Sequence, residues 1–114
     1  MPQVAPIKIA FPPSDSPDVV NYRLYYVDTS ETLGLNSPYV DLPPQAADPD
    51  GDMRFNAGDV KDAQGNIVFE DGRYNLGVAA IDDAGNESEM STLLDVPLDF
   101  VPPNPPGQIR IEVG

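Results

Sequence analysis

The sequence predicts an all-β domain: two antiparallel sheets packed as a sandwich of about seven short strands. Three observations carry that prediction. Apolar residues alternate with polar ones over short runs, the period of a strand with one buried face. Those runs are separated by proline pairs and by Asp-Gly, Gln-Gly and Ala-Gly turns. No window of useful length has the i, i+3, i+4, i+7 apolar spacing of an amphipathic helix.

The strands follow in order. Ile7, Ile9 and Phe11 alternate with Lys8 and Ala10 until Pro12-Pro13 stops the run. Ser14 to Asp18 is a loop by composition. From Val20 to Val27 the β-branched and aromatic residues that favour strands dominate, with Val20, Tyr22, Leu24 and Tyr26 on one face. Asp28 to Ser37 is a polar connection that Leu33 and Leu35 can tack to the body. Residues 37–42 read as a short edge strand closed by Pro43-Pro44. Periodicity fails from Gln45 to Gly65, where Met53, Phe55 and Val60 are the only anchors. A brief strand at 53–55 and a turn of helix near 57–62 both fit there, and a loop of this length is often functional. Residues 66–70, Asn-Ile-Val-Phe-Glu, restore a strand pattern.

The cleanest alternation follows the Asp71-Gly72 turn. Tyr74, Leu76, Val78 and Ala80 fall on one face and Asn75, Gly77, Ala79 and Ile81 on the other, before Asp82-Asp83-Ala84-Gly85-Asn86 ends the run. Residues 92–100 form the last strand of the body, with Pro97 marking an exposed edge. A proline-rich hinge follows. Beyond it Ile109, Ile111 and Val113 alternate with Arg110 and Glu112 as one further strand. This divides the chain into a sandwich at 1–101 and a hinge with an extra strand at 102–114.

Composition removes several function classes. The chain has 114 residues, room for one domain. Six Lys and Arg against nineteen Asp and Glu give a net charge of −13, which opposes phosphate backbones and anionic membranes and favours basic partners or divalent cations. With no Cys and no His there is no disulfide, no thiolate, no zinc site of those ligands and no Ser-His or Cys-His pair. No apolar run reaches the roughly 18 residues of a membrane helix. The start, MPQVAPIKIAF, lacks the basic and apolar regions of a signal peptide. On that reading the protein stays inside the cell or is a mature piece carrying an added Met1.

The stretch Tyr74, Leu76, Val78, Ala80, Ile81, Asp82, Ala84, Gly85, Ser88 resembles the sixth strand and following loop of fibronectin type III domains. Asp71-Gly72 ahead of the tyrosine and Gly85-Asn86-Glu87-Ser88 behind it resemble the bacterial members. Residues 19–26 resemble the family's third strand and 7–13 its second, with Phe11 where a Trp usually stands. The resemblance implies an immunoglobulin-like sandwich with Phe11, Tyr22, Leu24, Leu76 and Val78 in its core. It implies that the Tyr74 hydroxyl bonds back to the backbone just upstream. It also implies a non-catalytic structural or protein-binding module of an extracellular or cell-envelope bacterial protein. Two departures stand out: the insertion at Gln45 to Gly65, and one strand up to Phe11 where the family has two.

Those departures carry the functional candidates. A sandwich short of an edge strand leaves unpaired backbone groups, which Ile109, Ile111 and Val113 could fill within the chain or from a neighbour. Filling from a neighbour is head-to-tail and gives a homopolymer or ring. The same segment also reads as a linker to a following domain. Asp48, Asp50 and Asp52, with Asn56 and Asp59 nearby, alternate carboxylates on a turn as calcium loops do, although Met53 stands where such a loop needs Gly. Calcium is therefore the one cofactor the sequence suggests. An enzyme is the weakest class, because paired carboxylates need a pocket to do acid–base work. Tyr25 and Tyr39, if exposed, offer sugar-stacking faces.

Overall fold

The computed structural model describes residues 7–113, so residues 1–6 and 114 of the two ranges above lie outside it. Six strands form two antiparallel sheets: β1 (Lys8–Phe11), β2 (Val19–Asp28), β3 (Tyr39–Leu42), β4 (Met53–Asn56), β5 (Gly72–Asp82) and β6 (Ser91–Leu98). One sheet has the order β1-β4 and the other β3-β2-β5-β6. Both alternatives in the long excursion occur together, since β4 leads into a single 3-10 turn at Ala57–Asp59.

The core lies between the sheets. Phe11, Met53 and Phe55 face Tyr22, Leu24, Val40, Leu42, Leu76 and Leu98. Phe11 stacks on Phe55 and meets Tyr22 edge-on, at centroid distances of 5.7 and 5.3 Å, so the smaller sheet is held by aromatic contact as well as by area. Tyr74, Val78 and Ala80 are half-buried against the same cluster, on the face their alternation predicts. The Tyr22 hydroxyl accepts from Ser14 N–H at 2.9 Å and ties down the loop after Pro13.

Two bulges reset the alternation. Val19 pairs with Asp82 and Asn21 with Ile81, so Val20 is the extra residue. That turns Val20 outward, 53% exposed, and gives its core place to Val19. The expected inward position of Val20 is thus corrected. The second bulge lies between Tyr74–Val96 and Leu76–Leu93, with three steps on β6 against two on β5. Asp95 takes φ of 58° there, its N–H donating to Asn75 Oδ1 at 3.0 Å and its carboxylate accepting from Arg73. A short polar side chain suits that left-handed conformation.

Two predicted strands are absent. Residues 66–70 make only an isolated bridge, Ile67 to Lys61, because the Asp62–Gly65 turn folds them back onto their own loop. Phe69 is nevertheless 2% exposed, packed edge-on against Tyr26 and Tyr74. Residues 109–113 form no strand either, since nothing among the described residues pairs with them.

The Tyr74 hydroxyl donates to the Glu70 carbonyl at 3.2 Å and accepts from the Glu70 N–H at 3.0 Å. Tyr74→Phe should therefore lower the unfolding free energy by about 1 kcal/mol with the far-UV spectrum unchanged. Denaturant titration measures this; equal midpoints would mean that the hydroxyl contributes nothing.

Candidate functional site

Three places hold the residues that the sequence singles out. The first is the outer edge of β1. The Ile7 carbonyl accepts from Ala57 N–H at 2.8 Å, and Ile9 and Phe11 lie opposite Phe55 and Met53. Backbone direction alternates along an antiparallel strand, so the N–H and C=O groups of Lys8 and Ala10 point away from β4. No described strand lies on that side. Between this edge and β6 runs an apolar groove of about 400 Å³, lined by Ile7, Ile9, Leu76, Leu93, Val96 and Leu98 among others. Ile7, Ile9 and Val96 are half-buried, so the core is partly uncovered along the groove.

The segment with apolar residues to offer stands apart from it. Phe100 covers Gly58, and its N–H donates to Asp71 Oδ1 at 2.7 Å, which fastens the end of the sandwich. Beyond Pro102 the described chain is exposed. Ile109, Ile111 and Val113 are 81%, 84% and 96% accessible. Arg110 and Glu112 approach each other at 4.0 Å, so both project from one side of an extended backbone. The radius of gyration is 18.3 Å, against about 13 Å for a close-packed chain near this length, which fits a segment held off the body.

The second place is the acidic excursion. Asp48 and Asp50 turn to Arg54, which donates to Asp48 Oδ2 at 2.6 Å and to both carboxylate oxygens of Asp50. The Arg54 guanidinium holds the Asp50 carboxyl down at about 2. Asp52 contributes its N–H to Asp50, and Asp59 accepts from Asn56 at 3.2 Å. The four candidate calcium ligands therefore do not converge, and no group of three or more such side chains is assembled among the described residues. A cation already present, Arg54, takes the place between Asp48 and Asp50 and offsets part of the charge of the turn. The signal was in the sequence, since Arg54 lies four residues past Asp50, a reach that a turn brings into contact.

The third place is the outer face of the larger sheet. Tyr25, a stacking face for sugars only if exposed, is 2% accessible and lies across from Tyr39 as a cross-strand aromatic pair. Its hydroxyl donates to Glu87 Oε2 at 2.6 Å, Arg23 Nη1 donates to Glu87 Oε1 at 2.9 Å, and the Arg23 guanidinium lies 4.2 Å from the Tyr39 ring centre. Asp82 positions Glu87: its carboxylate accepts from the N–H groups of Ala84 and Asn86, with Gly85 at a φ of 87° closing the turn. Burial first, and the Glu87 carboxylate second, push the Tyr25 phenol up. Beside this cluster Gly77 leaves room for Met90 and Leu33, since a Cβ there would collide with Met90 Sδ. Leu33 thus anchors its loop, whereas Leu35 is exposed. Tyr39 is half-exposed, but Arg23 already occupies one face of its ring.

The structure therefore brings Phe11, Tyr22, Leu24, Leu76 and Val78 together in or against the core, and Tyr74 onto the Glu70 backbone. It brings Asp48 and Asp50 together on Arg54 and Asp59 onto Asn56, without gathering the four aspartates, and it leaves Ile109, Ile111 and Val113 unpartnered among the described residues. Among the described residues no helix is long and apolar enough to cross a membrane. No protein-family model, curated protein or solved structure matches the chain.

Proposed function

We propose that the protein is a non-catalytic structural or protein-interaction module, of the kind found in bacterial surface and extracellular proteins, and that it acts by accepting an extended strand along β1. The observation that carries this reading is the open β1 edge beside an apolar groove. Four backbone groups on Lys8 and Ala10 need partners, and half-buried apolar side chains lie next to them. Main-chain hydrogen bonds supply affinity in such strand addition, and pockets for alternate side chains supply selectivity. The fibronectin type III kinship is part of the same proposal. Immunoglobulin-type sandwiches pair strands B with E, C with F, and F with G. If β1 is B, then β1-β4 and β2-β5-β6 match those pairings, and the free edge is where a strand A would lie.

The test is selection of displayed random decapeptides against the full chain. Bound peptides should share apolar residues at alternate positions, and Ala10→Pro, which removes an outward N–H and leaves the β4 ladder intact, should abolish their binding. Peptides without that pattern, or indifferent to Ala10→Pro, would overturn the reading.

A further inference from the structure

We infer that the occupant of the β1 groove is segment 108–113 of a second copy of this chain, so that copies join head to tail. This rests on β1 being an acceptor edge, and it goes further by naming the donor and its register. Antiparallel pairing places Ile111 opposite Ile9, Val113 opposite Ile7 and Ile109 opposite Phe11. In that register all three apolar side chains enter the groove, on the side away from Arg110 and Glu112. The same register sets Glu112 against Lys8 and Arg110 against Ala10. These are the two β1 residues whose backbone groups have no partner among the described residues, so each would gain a two-bond antiparallel pair. A one-residue slip would aim Arg110 and Glu112 into the apolar groove.

Two observations favour another chain over the segment's own. Pro102, Pro103, Pro105 and Pro106 stiffen the spacer in an extended form of about 3.1 Å per residue, which resists the reversal that self-closure needs. The segment is also exposed while the groove of the same chain is open. The rival groove beside β4 sets Asp41, Arg54, Asp59 and Lys61 among Leu42, Phe55 and Val60, so it suits apolar side chains less well than the β1 groove. Donor and acceptor are different surfaces, so the contact does not close on itself and propagates. A net charge of −13 on each copy opposes assembly at long range, so association should strengthen as salt screens it beyond about 10 Å at 0.1 M.

Complementation tests this by sedimentation velocity on full-length chains in 0.3 M salt. The wild type should form a concentration-dependent ladder. A donor-dead chain, Ile109→Asp with Ile111→Asp, and an acceptor-dead chain, Ala10→Pro, should each be monomeric, with self-association weakened at least about tenfold. Mixed, they should give a one-to-one dimer and nothing larger. Should Ala10→Pro unfold on its own, the surface charge variant Lys8→Glu replaces it. It should weaken association about two- to five-fold and be rescued by Glu112→Lys. A wild type monomeric at every concentration, a mixture that stays monomeric, or a donor-dead chain that still forms the ladder would each overturn the inference. A monomeric wild type that still captures displayed peptides through β1 would overturn the donor alone and leave the acceptor edge standing.

Discussion

Phe69→Ala should lower stability by about 3–5 kcal/mol, the cost of a large aromatic cavity. Phe69 lies in no strand, yet it is 2% exposed and meets Tyr26 and Tyr74 edge-on at 5.6 and 5.2 Å. Each such ring pair adds about 0.5–1.5 kcal/mol beyond its buried area. Against the roughly 5–15 kcal/mol that stabilises a typical domain, the loss is a large share. Thermal unfolding should fall by at least about 10 °C. Ile67→Ala supplies the control, since Ile67 belongs to the same loop and is 59% exposed; it should stay within about 0.5 kcal/mol of wild type. Equal effects at the two positions would show that this loop does not seal the sandwich.

Tyr25→Phe should cost about 1.5–3 kcal/mol, because it removes a hydrogen bond to the Glu87 carboxylate from a buried position. The pH dependence has a definite sign. The folded state holds the Tyr25 phenol above its ordinary value, so the stabilisation is complete below about pH 10 and is lost as pH rises through the raised value. Wild type should therefore lose stability on the alkaline side. Tyr25→Phe should start lower and decline less steeply, its remaining slope including Tyr26, which burial also raises. Chemical unfolding at a series of pH values between 8 and 11 measures both effects. Parallel profiles for the two proteins would contradict the Tyr25–Glu87 bond as the source.

How far residues announced this architecture depends on the distance over which each feature is decided. β5 was legible because Tyr74, Leu76, Val78 and Ala80 keep one period without interruption. β2 was legible as a strand with Tyr22, Leu24 and Tyr26 on the core face, but the turning-out of Val20 was not, since that bulge arises from pairing with Asp82 and Ile81 far along the chain. Residues 66–70 have strand chemistry, and a turn at Asp62–Gly65 spends it on a local bridge. The segment at Ile109 shows that alternation describes a strand's ability to pair and supplies no partner. The acceptor edge was legible only as a missing strand, and its groove depends on how β6 passes β1. Glu87 stood out only as part of the Gly85–Ser88 stretch, and its pairing gave no signal, because Arg23 and Tyr25 are more than sixty positions away.

One consequence of β2 concerns the order in which the molecule comes apart. β2 is bonded to β3 on one side and β5 on the other, and Tyr22 and Leu24 are buried on one face while Tyr25 and Val27 are buried on the other. Exposing the amides near Leu24 therefore requires detaching two strands and uncovering two faces together. The loop at 61–71, past the buried Ala57 and Val60, is tied by Phe69, the Glu70–Tyr74 and Asp71–Phe100 bonds and a few backbone bonds, so it can lift while the rest stays folded. The domain thus divides into a slow-exchanging spine and a hatch with its own, lower free energy of opening, and the hatch closes over the ring of Tyr74.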